Sequence, residues 1–200
     1  MKWLFSDFIW DIPNKNKTVY LTFDDGPTPG ITEWVLSQLQ EHKVKAIFFC
    51  IGKNIKDNPH IFRKIIDSGH SLGNHTFNHE NGWHTDNDQY MESVNKCEKQ
   101  LREFNVDTKL FRPPYGKLRR KQAKILKSKN YKVVMWDILS ADFDHNVSQE
   151  KCLQNVLKNI TSGSVIIFHD SVKAFPNLKY VLPKTLEYIK NEGFNCGILN

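Results

Sequence analysis

The sequence lacks several features that would assign it quickly. Among its 200 residues there is no run of about 18 apolar residues, so nothing reads as a membrane-spanning helix. It has no CxxC pair. Cys50, Cys97, Cys152 and Cys196 are widely separated, which excludes the paired spacings of zinc ribbons and dithiol redox motifs. Four reduced thiols are expected, with Cys50 and Cys196 as small residues in strands. The opening stretch MKWLFSDFIWDIPNK has no small-residue cleavage site, and Asp7 and Asp11 interrupt it, so it reads poorly as a secretory leader. That leaves the cytoplasm as the default compartment and the cell envelope open. Acidic residues are absent between Lys117 and Lys132, where eight basic ones stand among Ala123, Ile125 and Leu126 at helical spacing. A solvated helix face explains this better than a nucleic-acid surface, since no nucleic-acid motif accompanies it, and no nucleic-acid partner is expected.

What is present is the composition of a globular chain: 40% hydrophobic, 12% aromatic, 25% charged, with a net charge of +6. Two hundred residues suit one domain, 1–200, with a substantial core. Apolar, β-rich runs occur at 18–23, 46–51, 110–112, 132–138, 164–170 and 194–199, with a shorter one at 70–75. Most are apolar at consecutive positions, as in strands covered on both faces. Between them, helical faces form from Ile31, Trp34, Val35 and Leu39; from Ile61, Ile65 and Ile66; and from Met91, Val94, Cys97, Leu101 and Phe104. Further faces follow around Ile125, from Leu153 to Ile160, and from Leu182 to Ile189. Strands that alternate with helices predict an α/β fold, and about seven parallel strands predict a distorted, TIM-like (β/α) barrel. Chemistry in such folds gathers at the carboxyl ends of the strands.

Five strand ends carry polar residues. In TFDDGP, Asp24 and Asp25 are neighbours, and side chains on a strand alternate faces, so both carboxylates reach one point only if the strand ends there. Gly26-Pro27 marks such an end, although Asp-Gly is also an ordinary turn signal. In HTFNH, His75 and His79 would lie about 13 Å apart on a strand and about 6 Å apart on a helical turn. If the chain coils after Asn74 they form half of a metal site that a carboxylate such as Asp25 completes; otherwise they are two surface histidines. In RPPYG, the two prolines have no N–H, so Tyr115 offers the first backbone donor after Arg112, whose guanidinium can orient an aspartate. WDILSADF supplies an apolar wall, with Trp136 favoured as core, and a buried carboxylate at Asp137 or Asp142. IIFHD ends an apolar strand on His169, where a proton donor can sit with Asp142 as its partner.

Taken in order, these residues resemble the polysaccharide deacetylases of carbohydrate esterase family four, over about Val19 to Asp170. The resemblance implies removal of N- or O-acetyl groups from an acetylated sugar or polysaccharide, such as chitooligosaccharide or peptidoglycan, with a divalent metal. It implies Asp25, His75 and His79 as metal ligands, Asp24 as general base oriented by Arg112, the Tyr115 N–H as oxyanion donor, and His169 as general acid with Asp142 as partner. Zinc is the expected ion; cobalt, nickel, manganese and iron suit the same ligands. Two departures stand out. Leu139 and Phe143 replace an aspartate and a tryptophan of the family's fourth motif, and Ile167 replaces a leucine of the fifth. Trp83, just after the second histidine, either stacks on a sugar ring or covers the barrel rim. Rival readings are an amidase acting on a cyclic imide or other non-sugar amide, and a non-catalytic sugar-binding barrel.

Overall fold

The computed structural model describes residues 7–199, so the start of the leader-like stretch lies outside the described residues. Strands and helices alternate as β1 (Thr18–Asp25), α1 (Ile31–Glu41), β2 (Ile47–Cys50), α2 (Gly52–Asp57), α3 (Pro59–Asp67), β3 (Ser71–Asn74), α4 (Asn87–Arg102) and β4 (Leu110–Phe111). They continue as α5 (Arg120–Ser128), β5 (Lys132–Val133), β6 (Ile138–Leu139), α6 (Gln149–Leu157), β7 (Val165–His169), α7 (Phe175–Asn191) and β8 (Asn195–Cys196). Every strand pairing is parallel, in the order β5-β4-β3-β2-β1-β7-β6, with β8 on the start of β1. No helix among the described residues is long and apolar enough to cross a membrane.

The expected single strand at 132–138 is two short ones, and the break closes the barrel. β5 and β6 sit at opposite ends of the sheet order, yet only residues 134–137 separate them in sequence. Val134 N–H donates to the Phe111 carbonyl (2.8 Å) and Asp137 N–H to that of Val165 (3.2 Å), so four residues step from one sheet edge to the other. An edge strand leaves donors and acceptors unpaired, and on the free side of β5 Ile9 N–H donates to Val133 O (2.9 Å) while Ile9 O accepts from Met135 N–H (2.7 Å). At its base, Ile9 bridges Val134 and Asp11 bridges Ser164. Asp137 belongs to this seam, where its carboxylate accepts from Val165 N–H (2.6 Å) and Ser164 Oγ (3.0 Å), away from the strand ends.

Side-chain alternation assigns two faces to each strand. On β2, Phe48 and Cys50 face the helices while Ile47 and Phe49 fill the barrel interior with Leu110, Val134 and Val165. On β1, Leu21 and Phe23 face the helices, which leaves Thr22 and Asp24 on the interior face. By the same parity β7 turns Val165, Ile167 and His169 inward, and β4 turns Leu110 and then Arg112. Gly73 on β3 is required by close approach, because a Cβ there would lie 2.4 Å from the Phe49 ring. Each fully buried large apolar side chain contributes about 1.5–3 kcal/mol. Helices α1 and α3 to α7 follow the predicted apolar faces, and α3 stops at Ser68, with Gly69 at φ 71°. The short α2 was not predicted; only Gly52 and Ile55 of it are buried, too few to show a period. All four cysteines are free thiols, and Cys50, Cys97 and Cys152 are buried.

Candidate metal and catalytic site

The strand ends meet in a cleft of about 590 Å³ lined by Asp24, Asp25, His75, His79, Tyr115, Trp136, Leu139, Phe143, Ile167, His169 and residues 171–173. Interior parity brings Asp24 and His169 there, and the two are register partners across β1 and β7. Asp25 has the opposite parity and would face the helices. Its φ of 86° turns it back toward the cleft. That answers how adjacent carboxylates converge. Left-handed backbone in a non-glycine residue costs of order 1–3 kcal/mol. Of the nine described non-glycine residues with positive φ, Asp25, Thr76, His79, Tyr115 and Ala141 lie in the segments that form this site.

The turn after Asp25 is held from three sides. Asn54 Nδ2 donates to the Asp25 carbonyl (2.8 Å), Ile51 N–H to that of Gly26 (3.1 Å), and Gly26 N–H to Asp170 Oδ1 (3.0 Å). A Cβ on Gly26 would lie 2.0 Å from Asp170 Oδ2, so only glycine fits. Asp170, fully buried, also accepts from Thr32 Oγ1 (2.5 Å). Burial pushes its pKa up to about 8 against these two donors.

Asp25, His75 and His79 each offer a ligand atom, and these atoms lie within 4.8 Å of one another. His79 Nε2 is 3.3 Å and His75 Nε2 is 3.8 Å from Asp25 Oδ1. The coil that the histidine spacing demanded is present, but it is irregular rather than α-helical, with Thr76 and His79 both left-handed (φ 62°). Buried Asn74, facing outward from β3, ties it down by donating to Val94 O (2.9 Å) and accepting from Thr76 N–H (2.9 Å). His75 lies 2.7 Å through Nδ1 from the Arg112 carbonyl, which makes Nδ1 the protonated nitrogen and leaves the Nε2 lone pair toward Asp25. Burial, then His79, draws the His75 pKa down to about 3, so the ring is neutral. Asp25 Oδ1 is buried with no hydrogen-bond partner. An orphaned buried carboxylate oxygen facing two imidazoles fits a divalent cation: two nitrogens, one oxygen, open positions.

Arg112 lies wholly inside the barrel. Its Nη1 donates to Asp24 Oδ1 (2.8 Å) and Thr22 Oγ1 (2.6 Å), Nε to Val134 O (3.0 Å) and Nη2 to Met135 O (2.7 Å). Its plane stacks 4.2 Å from the Phe49 ring centroid. Burial lowers its pKa, and the Asp24 carboxylate opposes this. One guanidinium thus fixes Asp24 and clamps the segment that closes the barrel.

On the opposite wall, Asp142 is fully buried and grips His169 twice, at the backbone N–H (Oδ2, 2.8 Å) and at ring Nδ1 (Oδ1, 2.8 Å). Burial pulls the imidazole down, but Asp142, with smaller help from Asp25 and Asp24, pushes its pKa up to about 9. Tyr115 (φ 60°) stands in a 3-10 turn at Pro114–Gly116, its ring 4.5 Å from that of His79. Trp136 does more than pack in the core, since it also lines the cleft and lies 5.7 Å from the Arg112 guanidinium. Trp83 is half exposed, with Lys117 Nζ 3.8 Å from its ring centroid, and it is not among the residues lining the cleft. The basic stretch on α5 is solvent-facing, and Lys127 pairs with Asp7. Six of the eight predicted site residues line one cleft, and Arg112 and Asp142 stand buried behind it, bonded to Asp24 and His169. Thr22, Asn74 and Asp170 were not predicted to serve it, although the strand parity of Thr22 and the buried position of Asp170 next to His169 were signals.

An α/β barrel with a carboxylate-and-imidazole metal cluster, a carboxylate and a charged histidine at its strand ends defines a metal-dependent hydrolase class. The family model of polysaccharide deacetylases matches residues 11–134, and the chain belongs to that family. It is 31% identical over 186 residues to a peptidoglycan-N-acetylglucosamine deacetylase of Bacillus cereus, covering 92% of this chain and 87% of the relative. It is 31% identical over 161 residues to a chitooligosaccharide deacetylase of Azorhizobium caulinodans, covering 80% of this chain and 76% of that one. Other curated relatives are longer, and the chain spans 37 to 60% of their length. A crystal structure of a peptidoglycan N-acetylglucosamine deacetylase in complex with a naphthalenyl N-oxidanyl-benzamide superposes with a TM-score of 0.92 at 32% identity, covering all of this chain and 94% of that one.

Proposed function

We propose that this chain is a metal-dependent deacetylase that hydrolyses N-acetyl groups on an acetylated sugar polymer of the chitooligosaccharide or peptidoglycan kind. The observation that carries this is the pairing of Asp24 with His169 across β1 and β7, beside a metal-competent cluster with an orphaned Asp25 oxygen. Family membership and the names of the relatives support the sugar assignment. Asp25, His75 and His79 would hold the ion, and two imidazoles with one carboxylate favour zinc. A bound divalent cation supplies Lewis acidity, lowering the pKa of a water and polarising a carbonyl oxygen.

The remaining chemistry belongs to the chain. Asp24, kept in one rotamer by Arg112, takes the proton of the attacking water. As charge builds on the acetyl oxygen, the Tyr115 N–H donates to it from a backbone fixed by two prolines, so little reorganisation is needed. His169, gripped through Nδ1 by Asp142, presents Nε2 to the cleft and delivers its proton to the leaving nitrogen. Trp136, Leu139, Phe143 and Ile167 line the same cleft and give the acetyl methyl an apolar wall.

The test is acetate release from N-acetylglucosamine oligomers and peptidoglycan fragments by zinc-loaded protein, beside Asp24→Asn. The variant should keep its zinc by elemental analysis and lose about 10²–10⁴ in kcat. Full activity in the variant would remove Asp24 as the base, and no acetate release by the zinc-loaded wild type would remove the deacetylase assignment.

A further inference from the structure

Charge on the cleft is uneven. Asp24 is paired with Arg112, Asp25 would be offset by a divalent cation, and Asp142 is spent on His169. Among the cleft-lining residues that leaves one cation with no acidic partner, Lys173. It is exposed and forms no ion pair with a described residue, unlike Lys53, Lys64, Lys109 and Lys127. Its Nζ lies 5.8 Å from the centroid of the Phe143 ring, and the neighbouring lining positions Leu139 and Val172 are apolar and themselves exposed, at 39% and 74%. Large apolar side chains that stay in solvent at the mouth of a cleft suit contact with a ligand, and an unpaired ammonium among them suits an anion.

We propose that Lys173 is an anion-recognising residue of this cleft, and that the preferred substrate is an N-acetylated glycan whose sugars carry a carboxylate rather than a neutral homopolymer. The inference rests on the deacetylase reading and adds the charge of the substrate to it. The carboxylate of a sugar beside the reacting one would meet Lys173 Nζ, while the apolar faces of the rings cover Leu139 and Val172. The pair stays near solvent, so its contribution is modest and sensitive to salt.

The test is equilibrium binding by calorimetry to zinc-loaded Asp24→Asn protein, whose turnover is about 10²–10⁴ slower. Three tetrasaccharides serve as probes: one of N-acetylglucosamine alone, one alternating with N-acetylmuramic acid, and the methyl ester of the second. The acid should bind about threefold to fivefold tighter than its ester at low salt. Adding Lys173→Ala should erase that preference, Lys173→Arg should keep it, and 0.5 M salt should shrink it to near unity. Equal affinity for acid and ester with Lys173 present, an unchanged preference in Lys173→Ala, or no binding of any probe would each overturn the proposal. Acetate release from the neutral tetrasaccharide by the wild type is scored separately and bears on the deacetylase reading alone.

Discussion

The two walls of the cleft each carry a histidine at a strand end, and the two are opposite in character. His75, on the β3 side, meets the Arg112 carbonyl through Nδ1, and burial with His79 takes it to about 3. His169, on β7, meets the Asp142 carboxylate through Nδ1, and despite burial rises to about 9. Both rings are largely withdrawn from water, so desolvation does not separate them. The partner of Nδ1 does: a carbonyl dipole orients a neutral ring with a lone pair free for a cation, while a full negative charge keeps the other ring protonated. On the function proposed above, one cleft runs two chemistries through the same residue type. Arg112 stands between the walls and joins Asp24 to the carbonyls of the barrel-closing segment.

The largest effect should come from breaking that link. Arg112→Met leaves Asp24 buried without its partner and frees two carbonyls, which should cost about 3–5 kcal/mol in urea unfolding. A loss under about 1 kcal/mol would show that closure of the barrel does not depend on this side chain. Next, Asp142→Asn removes the charge that distinguishes His169. In the wild type the acid is protonated below its pKa, so the rate should hold at lower pH and fall as pH rises toward about 9. A cation on Asp25 cancels part of the support from Asp25 and Asp24, which places the alkaline limb of the zinc-loaded enzyme below that value. Asp142→Asn should move the limb further down and cost about 10² in rate at pH 8, with zinc content unchanged. A pH profile that does not move would separate His169 from proton delivery.

Most of the site was legible because strand ends in a parallel barrel gather whatever polar residues terminate apolar runs. Parity alone sends Asp24, Arg112 and His169 inward. What it does not supply is Asp25, which has the wrong parity and reaches the cleft only through a left-handed backbone. The metal cluster was therefore readable from residue types and the coil that the histidines require, and not from strand geometry. The break between β5 and β6 was hidden for a related reason: residues 133–136 are continuously apolar between Lys132 and Asp137, yet the stretch 132–138 serves two edges of one sheet. Nothing local in an apolar run records which edge it pairs with. Thr22, Asn74 and Asp170 were missed because each acts through another residue, and their chemistry is ordinary until the fold supplies the partner.

Asp170 gives the finest way to sharpen the contrast between the walls, because it sits next to His169 in sequence but serves Asp25 across the cleft. Its two oxygens accept from Gly26 N–H and Thr32 Oγ1, and Thr32 Oγ1 itself accepts from Thr28 N–H (2.7 Å). Above about pH 8, where Asp170 is ionised, Asp170→Asn can satisfy one side only. With its oxygen toward Gly26, its amide turns a donor on a hydroxyl that then has no acceptor of its own. The expected cost is about 1–3 kcal/mol in thermal or urea unfolding. Because Gly26 follows Asp25 directly, loosening the turn should also weaken zinc binding by about 10-fold, as removal of an outer-shell partner does. The alkaline limb set by His169 and Asp142 should stay where it is. If zinc affinity holds while the limb moves, Asp170 belongs to the acid wall and the division of the cleft drawn from His75 and His169 is wrong.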